Sequence, residues 1–250
     1  MRPGSVGGVP ARLYSIRLSH PTLAARGMLV HKGMEHRVVE LVGGAHPLAL
    51  RALGFPGPTV PALRLADGRR VQGTLAIAAA LEAAVPEPSL YPAEPAARAA
   101  VAAAERWGEE VLQPVPRRLI RRGLADSAAQ RRWFADVASP FPAPALVGAL
   151  LAPVVPLFVR QAGASPEQVQ ADLRALPALL DEVDRLVATG VLDGAELNAA
   201  DFQVGTSVRM LLAFEDVGRL VARRPAERLA RRVQPEYPPI PAALPAAWLP

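Results

Sequence analysis

The sequence predicts a small α/β domain followed by an all-helical domain. Three observations carry this. Strand-like and helix-like segments alternate through residues 11–84, a proline-rich break lies at 85–92, and the apolar spacing from 93 to 234 is helical. A proline-rich tail follows over 235–250, with six prolines and no capacity for a regular helix.

Arg12–Leu18 alternates, with Tyr14, Ile16 and Leu18 on one face, and reads as a first strand. Pro21 sits where an opening helical residue is favoured. Pro21–Lys32 is rich in good helix formers, and Gly33 terminates it. His36–Val42 is a second strand, so strand, helix and strand form a βαβ unit with parallel strands. A loop rich in glycine and proline ends in Gly57-Pro58-Thr59-Val60-Pro61. Two short strands, Ala62–Leu65 and Arg69–Gln72, are joined by Ala66-Asp67-Gly68 as a hairpin. Thr74 is the expected N-cap of a helix carrying Leu75, Ile77 and Leu81. The first domain therefore spans 11–84 as βαβ-ββα.

Beyond the break, Ala96–Val111 and Ala199–Phe214 are strong helical stretches. Glu167–Val187 is a third, opened by Ser165 and Pro166 and expected to kink at Pro177. Arg117–Arg122 and Ala145–Arg160 are weaker because of neighbouring or internal proline. Asn198-Ala199-Ala200-Asp201 has the form of a capping box, with Leu197 and Phe202 at the positions of a hydrophobic staple.

Composition excludes several classes. The 250 residues contain no cysteine, which removes disulfide scaffolds, thiolate zinc sites, iron–sulfur clusters and a cysteine nucleophile. The 28 basic and 23 acidic residues leave a net charge of +5, too mild to demand nucleic acid. Lys32 is the only lysine. Met1–Pro10 lacks the apolar core of a signal peptide, and the apolar run Ala143–Val159 is broken by prolines and too short to span a membrane. The expectation is a cytoplasmic protein with no membrane and no nucleic-acid partner. His31, His36 and His46 have no metal-like spacing, and no phosphate-binding glycine loop is present, Gly4–Gly8 reading as a loose tail. No metal site is expected.

Several motifs in order resemble the soluble glutathione transferases over roughly Arg12 to Val233. Leu13-Tyr14-Ser15 leading to Ser19-His20-Pro21, with Arg26 and Gly33 beyond, resembles the family's first strand and helix. Thr59-Val60-Pro61-Ala62-Leu63 resembles its cis-proline motif. Val71-Gln72-Gly73-Thr74-Leu75-Ala76-Ile77 resembles its signature before the last helix of the first domain, and Leu90-Tyr91-Pro92 resembles its linker. The capping box at Asn198 has its counterpart at the family's central buried helix. The resemblance implies a thioredoxin-like domain, a helical bundle domain, a homodimer, and glutathione as co-substrate.

It also implies a chemistry. A free thiol with a pKa near 8.5 is mostly protonated at neutral pH. Lowering that value by about two units takes roughly 2.7 kcal/mol of preference for the anion. One hydrogen bond to a charged group supplies about 1.5–3 kcal/mol and a helix N-terminus roughly 0.3–1 kcal/mol. A single hydroxyl at the strand-to-helix turn is therefore sufficient.

Ser19, seven residues before Arg26 as in the theta- and zeta-like serine classes, is implied as that donor. The alternative is that Ser19 only caps the helix; Ser15 is the runner-up, and Tyr14 is expected in the core. His20 either contacts the thiol or faces solvent. Val60, before a cis-Pro61, would pair its backbone with the cysteinyl part of the ligand, and Thr74 would bind the γ-glutamyl carboxylate. Gln72 and Gly73 complete the implied thiol-binding set. Yet Gly73 stands where the family carries an acidic residue or glutamine, and Thr74 replaces its serine, which leaves the identity of the thiol open.

Trp107 and Arg118 are the acceptor-site candidates, with Trp133 and Phe134 as core or pocket residues. Arg117, Arg118, Arg121 and Arg122 form one arginine cluster, and Arg223, Arg224, Arg228, Arg231 and Arg232 a second. Each either recognises an anion or forms a solvated face. The expected function is thiolate attack on a small electrophile, in detoxification, with a thiol-dependent isomerase, dehalogenase or ether-cleaving variant. The alternative is a non-catalytic binding or interaction protein of the same fold.

Overall fold

The computed structural model describes residues 10–138 and 143–250. The glycine-rich start and the signal-peptide reading of Met1–Pro10 fall almost wholly outside the described residues. The chain divides into two compact units, one ending at Ser89 and one beginning at Leu90.

In the first unit, strands β1 (Ala11–Ser15), β2 (His36–Glu40), β3 (Ala62–Arg64) and β4 (Arg70–Gln72) form a sheet of order β2-β1-β3-β4. β1 and β2 are parallel, as a βαβ crossover requires, and the β1–β3 and β3–β4 pairs are antiparallel. Helices α1 (His20–His31), α2 (His46–Ala52) and α3 (Thr74–Ala84) complete it. This is a thioredoxin-like arrangement.

Side chains alternate across β1, so Leu13 and Tyr14 point to opposite faces of the sheet. Tyr14 packs with Leu50 of α2, Phe55 and Ala62, its ring edge-on to Phe55 at 5.4 Å. α1 and α3 pack against each other, burying Ala24, Ala25, Met28, Leu29, Ile77 and Leu81. β1 ends at Ser15 rather than Leu18, and Leu18 takes a positive φ of 64° that breaks the extended chain. α2 lies in the segment expected to be loop.

Lys32 ties this unit together. Its side chain is fully buried at the C-cap of α1, and Nζ donates to Glu82 Oε2 at 2.5 Å and to the carbonyls of Val85 and Pro86 at 2.8 and 3.2 Å. All three ammonium donors are therefore used.

In the second unit, α4 (Pro95–Trp107) passes through a π turn at Gly108–Leu112 into α5 (Pro114–Asp126). The turn is wider because Pro114 has no N–H to donate back, and Gln113 N instead reaches Gly108 O at 2.8 Å. α6 (Ala128–Ala138), α7 (Pro144–Leu151), α8 (Val155–Ala162), α9 (Pro166–Ala188), α10 (Ala199–Ala213) and α11 (Pro225–Val233) follow. The expected single helix over Ala145–Arg160 is two helices, separated around Pro153. α9 stays helical on both sides of Pro177.

α10 is the central helix, buried along nearly its whole length. Glycine permits the closest approaches: a Cβ at Gly108 would stand 2.9 Å from Val204, and one at Gly205 would stand 2.8 Å from Val233. The start of α10 carries the expected capping box. Asp201 N donates to Asn198 Oδ1 at 3.1 Å, and Asn198 N donates to Asp201 Oδ2 at 2.8 Å. Asp201 Oδ1 also accepts from Asp193 N at 2.7 Å, which ties down the loop before the helix. Asp201→Ala leaves both backbone donors without acceptors and is expected to cost about 2 kcal/mol by urea unfolding.

The tail packs on this unit as an extended strap. Ile240 is fully buried and bridges to Phe214, with Glu215 N donating to Ile240 O and Ile240 N to Ala213 O. Arg209, itself buried, donates from Nε to Gln234 O at 2.9 Å and lies over the Tyr237 ring. Its prolines prevent a helix, and the side chains of α10 and the following turn supply the hydrogen bonds that a helix would have made internally. Asp216 Oδ2, for example, accepts from Ala243 N and Leu244 N.

Candidate functional site

The register of the sheet places the site. Ser15 pairs with Glu40, Tyr14 with Ala62, and Ala62 with Gln72. The ends of β1, β2 and β4 and the start of β3 therefore lie at one end of the sheet. The turn into α1, the Val60–Pro61 peptide and the turn into α3 all leave from that end.

Ser19 is the N-cap residue of α1 by position, with extended backbone, but its side chain makes no capping hydrogen bond. The usual job of an N-cap serine is to accept from the N3 backbone N–H. Here Ser19 Oγ instead accepts from the hydroxyl of the N3 residue, Thr22, at 3.0 Å. Ser19 is half-buried and Thr22 buried. His20, the first helical residue, is buried rather than solvent-facing. Ser15 is also buried, and its hydroxyl donates to Ile16 O at 3.1 Å, so it is turned to its own backbone. Near Ser15, Glu40 has its carboxyl pushed up by partial burial, against the opposing pulls of Arg17, the Ser15 hydroxyl and Arg26.

The Val60–Pro61 peptide is cis, as the motif implied. The Val60 side chain packs against the Tyr14 cluster. Its N–H and C=O make no hydrogen bond among the described residues.

Gly73, not Thr74, is the N-cap of α3, and Thr74 is the first helical residue. Gly73 has φ 88°, ψ 150°, a conformation that costs glycine little and other residues much. A Cβ there would meet nothing within 4 Å. The glycine thus relieves the backbone and leaves open space where a side chain would project. Thr74 is buried at the end of α3 whose first backbone N–H groups have no intrahelical acceptor.

Gln72 braces the loop before Pro61. Its Oε1 accepts from Gly57 N at 2.7 Å, and its Nε2 donates to Gly57 O at 2.8 Å and Thr59 O at 2.6 Å.

Residues 13–89 match the family model described as the glutathione S-transferase N-terminal domain. That match covers most of the first unit. No curated protein matches the chain by sequence. Among solved structures, the chain is similar to the beta-etherase LigF from Sphingobium sp. strain SYK-6, with TM-score 0.66 and 19% identity over 93% of this chain and 97% of that one. It is similar to a glutathione S-transferase from Rhodospirillum rubrum F11, with TM-score 0.58 and 20% identity over 95% and 97%. A third is a glutathione S-transferase from Methylobacterium radiotolerans in complex with glutathione sulfonate, with TM-score 0.54 and 20% identity over 95% and 97%. The whole chain thus has the glutathione transferase fold.

In the helical unit of this transferase fold, Arg118 is held by Asp172 through two hydrogen bonds, Nε to Oδ2 at 2.5 Å and Nη2 to Oδ1 at 2.8 Å. Asp172 is buried and also accepts from Gln168. The guanidinium is thus held by a buried carboxylate on α9. Trp107 is half-buried at the end of α4, and Trp133 and Phe134 are half-buried on α6.

The arginine clusters are largely ion-paired. Arg122 pairs with Asp126, Arg224 with Asp181 and Asp184, and Arg228 and Arg232 share Asp193. Arg121 lies over the Phe158 ring at 4.9 Å.

Glu105, beside the π turn, escaped the sequence reading. It is 3% exposed, Oε2 accepts from Tyr91 Oη at 2.7 Å, and Oε1 has no partner among the described residues. Burial, together with Glu109 and against the Tyr91 hydrogen bond and Arg106, pushes its carboxyl up to about 7. A carboxyl raised in the fold stabilises it fully below the ordinary value near 4.5, and that stabilisation is lost as pH rises through 7. Glu105→Gln is expected to flatten the fall in stability between pH 4.5 and 7, as followed by thermal unfolding across that range.

Proposed function

We propose that the chain binds glutathione or a closely related thiol at the end of the sheet and keeps its sulfur ionised for attack on a small, mainly apolar electrophile. The observation that carries the reading is the Ser19 hydroxyl, which takes no part in capping α1 and already accepts from Thr22. Its own proton is left to donate to an anion at the mouth of the helix. Ser19 does not act as a base. It stabilises a thiolate whose proton passes to solvent, and α1 adds the positive end of its dipole.

The thiol's peptide-like body fits the rest of the site. The unpaired Val60 backbone can pair with the cysteinyl unit as an added strand would. The first backbone amides of α3 with the Thr74 hydroxyl suit a carboxylate. The sulfur then forms a bond to the electrophilic carbon while the leaving group departs with its electron pair. Proximity and anion stabilisation supply the rate. This reading places the protein with the serine-type transferases, as a homodimer in the cytoplasm.

Gln72 and Gly73 favour a second reading, a binding protein of the same fold without turnover. One side chain is spent on a loop and the other is missing, so the first unit offers fewer polar groups to the ligand. Saturable glutathione binding by calorimetry, followed by conjugation of a generic aromatic electrophile, separates the two. Binding with turnover supports the enzyme. Binding without turnover across a panel of aryl halides, epoxides and aryl ethers supports the binding protein.

A further inference from the structure

We propose that Thr22 is a positioning residue for the Ser19 hydroxyl, setting the direction in which that hydroxyl donates. This rests on the reading of Ser19 as the thiolate's hydrogen-bond donor.

A serine hydroxyl has one proton and two lone pairs and rotates freely, so an isolated one divides its time among acceptors, its own helix included. Thr22 removes that freedom. It is buried, sits at N3 of α1, and donates from Oγ1 to Ser19 Oγ at 3.0 Å. With a fixed donor on its oxygen, the Ser19 hydroxyl presents its proton away from the helix. The first turn reinforces this. Pro21 contributes no N–H, and the N3 side chain occupies the oxygen that the N3 amide would otherwise claim. A hydroxyl that accepts one hydrogen bond also donates a stronger one, because chains of hydrogen bonds polarise one another.

The threonine hydroxyl is what the geometry requires, and its methyl only narrows the rotamers. A β-branched side chain on a helix has few χ1 choices, which holds Oγ1 over the preceding turn. Valine has the same shape and no donor. Serine keeps the donor and loses only the methyl.

The test compares wild type, Thr22→Val, Thr22→Ser and Ser19→Ala as full-length chains with glutathione as the probe. It reads the pH dependence of kcat/KM and of the bound thiol's ultraviolet absorbance. Thr22→Val is expected to raise the apparent pKa of the bound thiol and to lower kcat/KM on the acid limb roughly threefold to tenfold, the range of one ordinary hydrogen bond. KM for glutathione should move little, and Thr22→Ser should restore the pH profile. A merely packing role would lower thermal stability without moving the pKa. If Thr22→Val leaves the pKa in place while Ser19→Ala raises it, the proposal is overturned and the Ser19 reading survives. If Ser19→Ala also leaves it unmoved, the reading beneath the proposal fails as well. If Thr22→Val does not fold, Thr22→Ser decides: a wild-type profile supports the hydroxyl's role, and a profile like that of Ser19→Ala overturns it.

Discussion

Ser19→Ala is expected to leave the fold intact and to cut kcat/KM for glutathione conjugation roughly 10- to 100-fold below neutral pH. The size follows from one hydrogen bond to a charged group, about 1.5–3 kcal/mol, with tenfold for each 1.36 kcal/mol. The effect should shrink at high pH, where solvent alone ionises the thiol. KM for glutathione should change less than kcat, since the backbone of Val60 and the start of α3 hold the rest of the molecule. The helix should survive because the Ser19 side chain makes no cap to lose. Circular dichroism and thermal unfolding on the same samples check that. A variant that loses stability but not rate would return Ser19 to the role of an ordinary helix-end residue.

Lys32→Met should produce the largest loss of stability, about 3 kcal/mol, because it leaves a partly buried carboxylate and two carbonyls without their shared donor. The other oxygen of Glu82 accepts from the Ser89 hydroxyl. The protein is rich in arginine, and this is its only lysine. A compact ammonium meets one carboxylate and two converging carbonyls, whereas a planar guanidinium fork matches a carboxylate. Lys32→Arg is therefore expected to be destabilising as well, in a position where arginine would otherwise be the conservative choice. Urea unfolding of both variants measures this. A change under 1 kcal/mol for Lys32→Met would contradict the role given to this contact.

Much of the first unit was legible because short strands with clear alternation are bounded by strong stops. β1, β2 and the β3–β4 hairpin each lie between glycine, proline or a capping serine, and α1 announces itself through Pro21 and Gly33. The capping box at Asn198 was legible for the same reason, since its chemistry is local. What escaped depends on tertiary contact. α2 is only seven residues long and follows a glycine pair, so nothing local distinguishes it from a loop until Leu50 meets Tyr14. α11 reads as an arginine run, and its helical face becomes apparent only where Leu229 and Ala230 are buried and Asp193 receives its arginines.

The same holds within the site. Ser19 stands out through its spacing to Arg26 in the family pattern, whereas the helix start at Gly73 reads one residue late, at Thr74. The commitment of Gln72 to the loop at Gly57–Thr59 and of Arg118 to Asp172 could not, because both partners are far along the chain. Thr22 does not stand out in the sequence, because its role becomes clear only once Ser19 is seen not to cap. Glu105 carries no local signal at all: a glutamate on a helix is normally solvated, and only tertiary packing buries this one.

The most direct measurement is an ultraviolet titration of glutathione bound to the wild-type protein, following thiolate absorbance against pH. Binding is expected to be saturable, with an apparent thiol pKa about two units below the free value near 8.5. A bound thiol that titrates at its free value, or no saturable signal, would contradict that expectation.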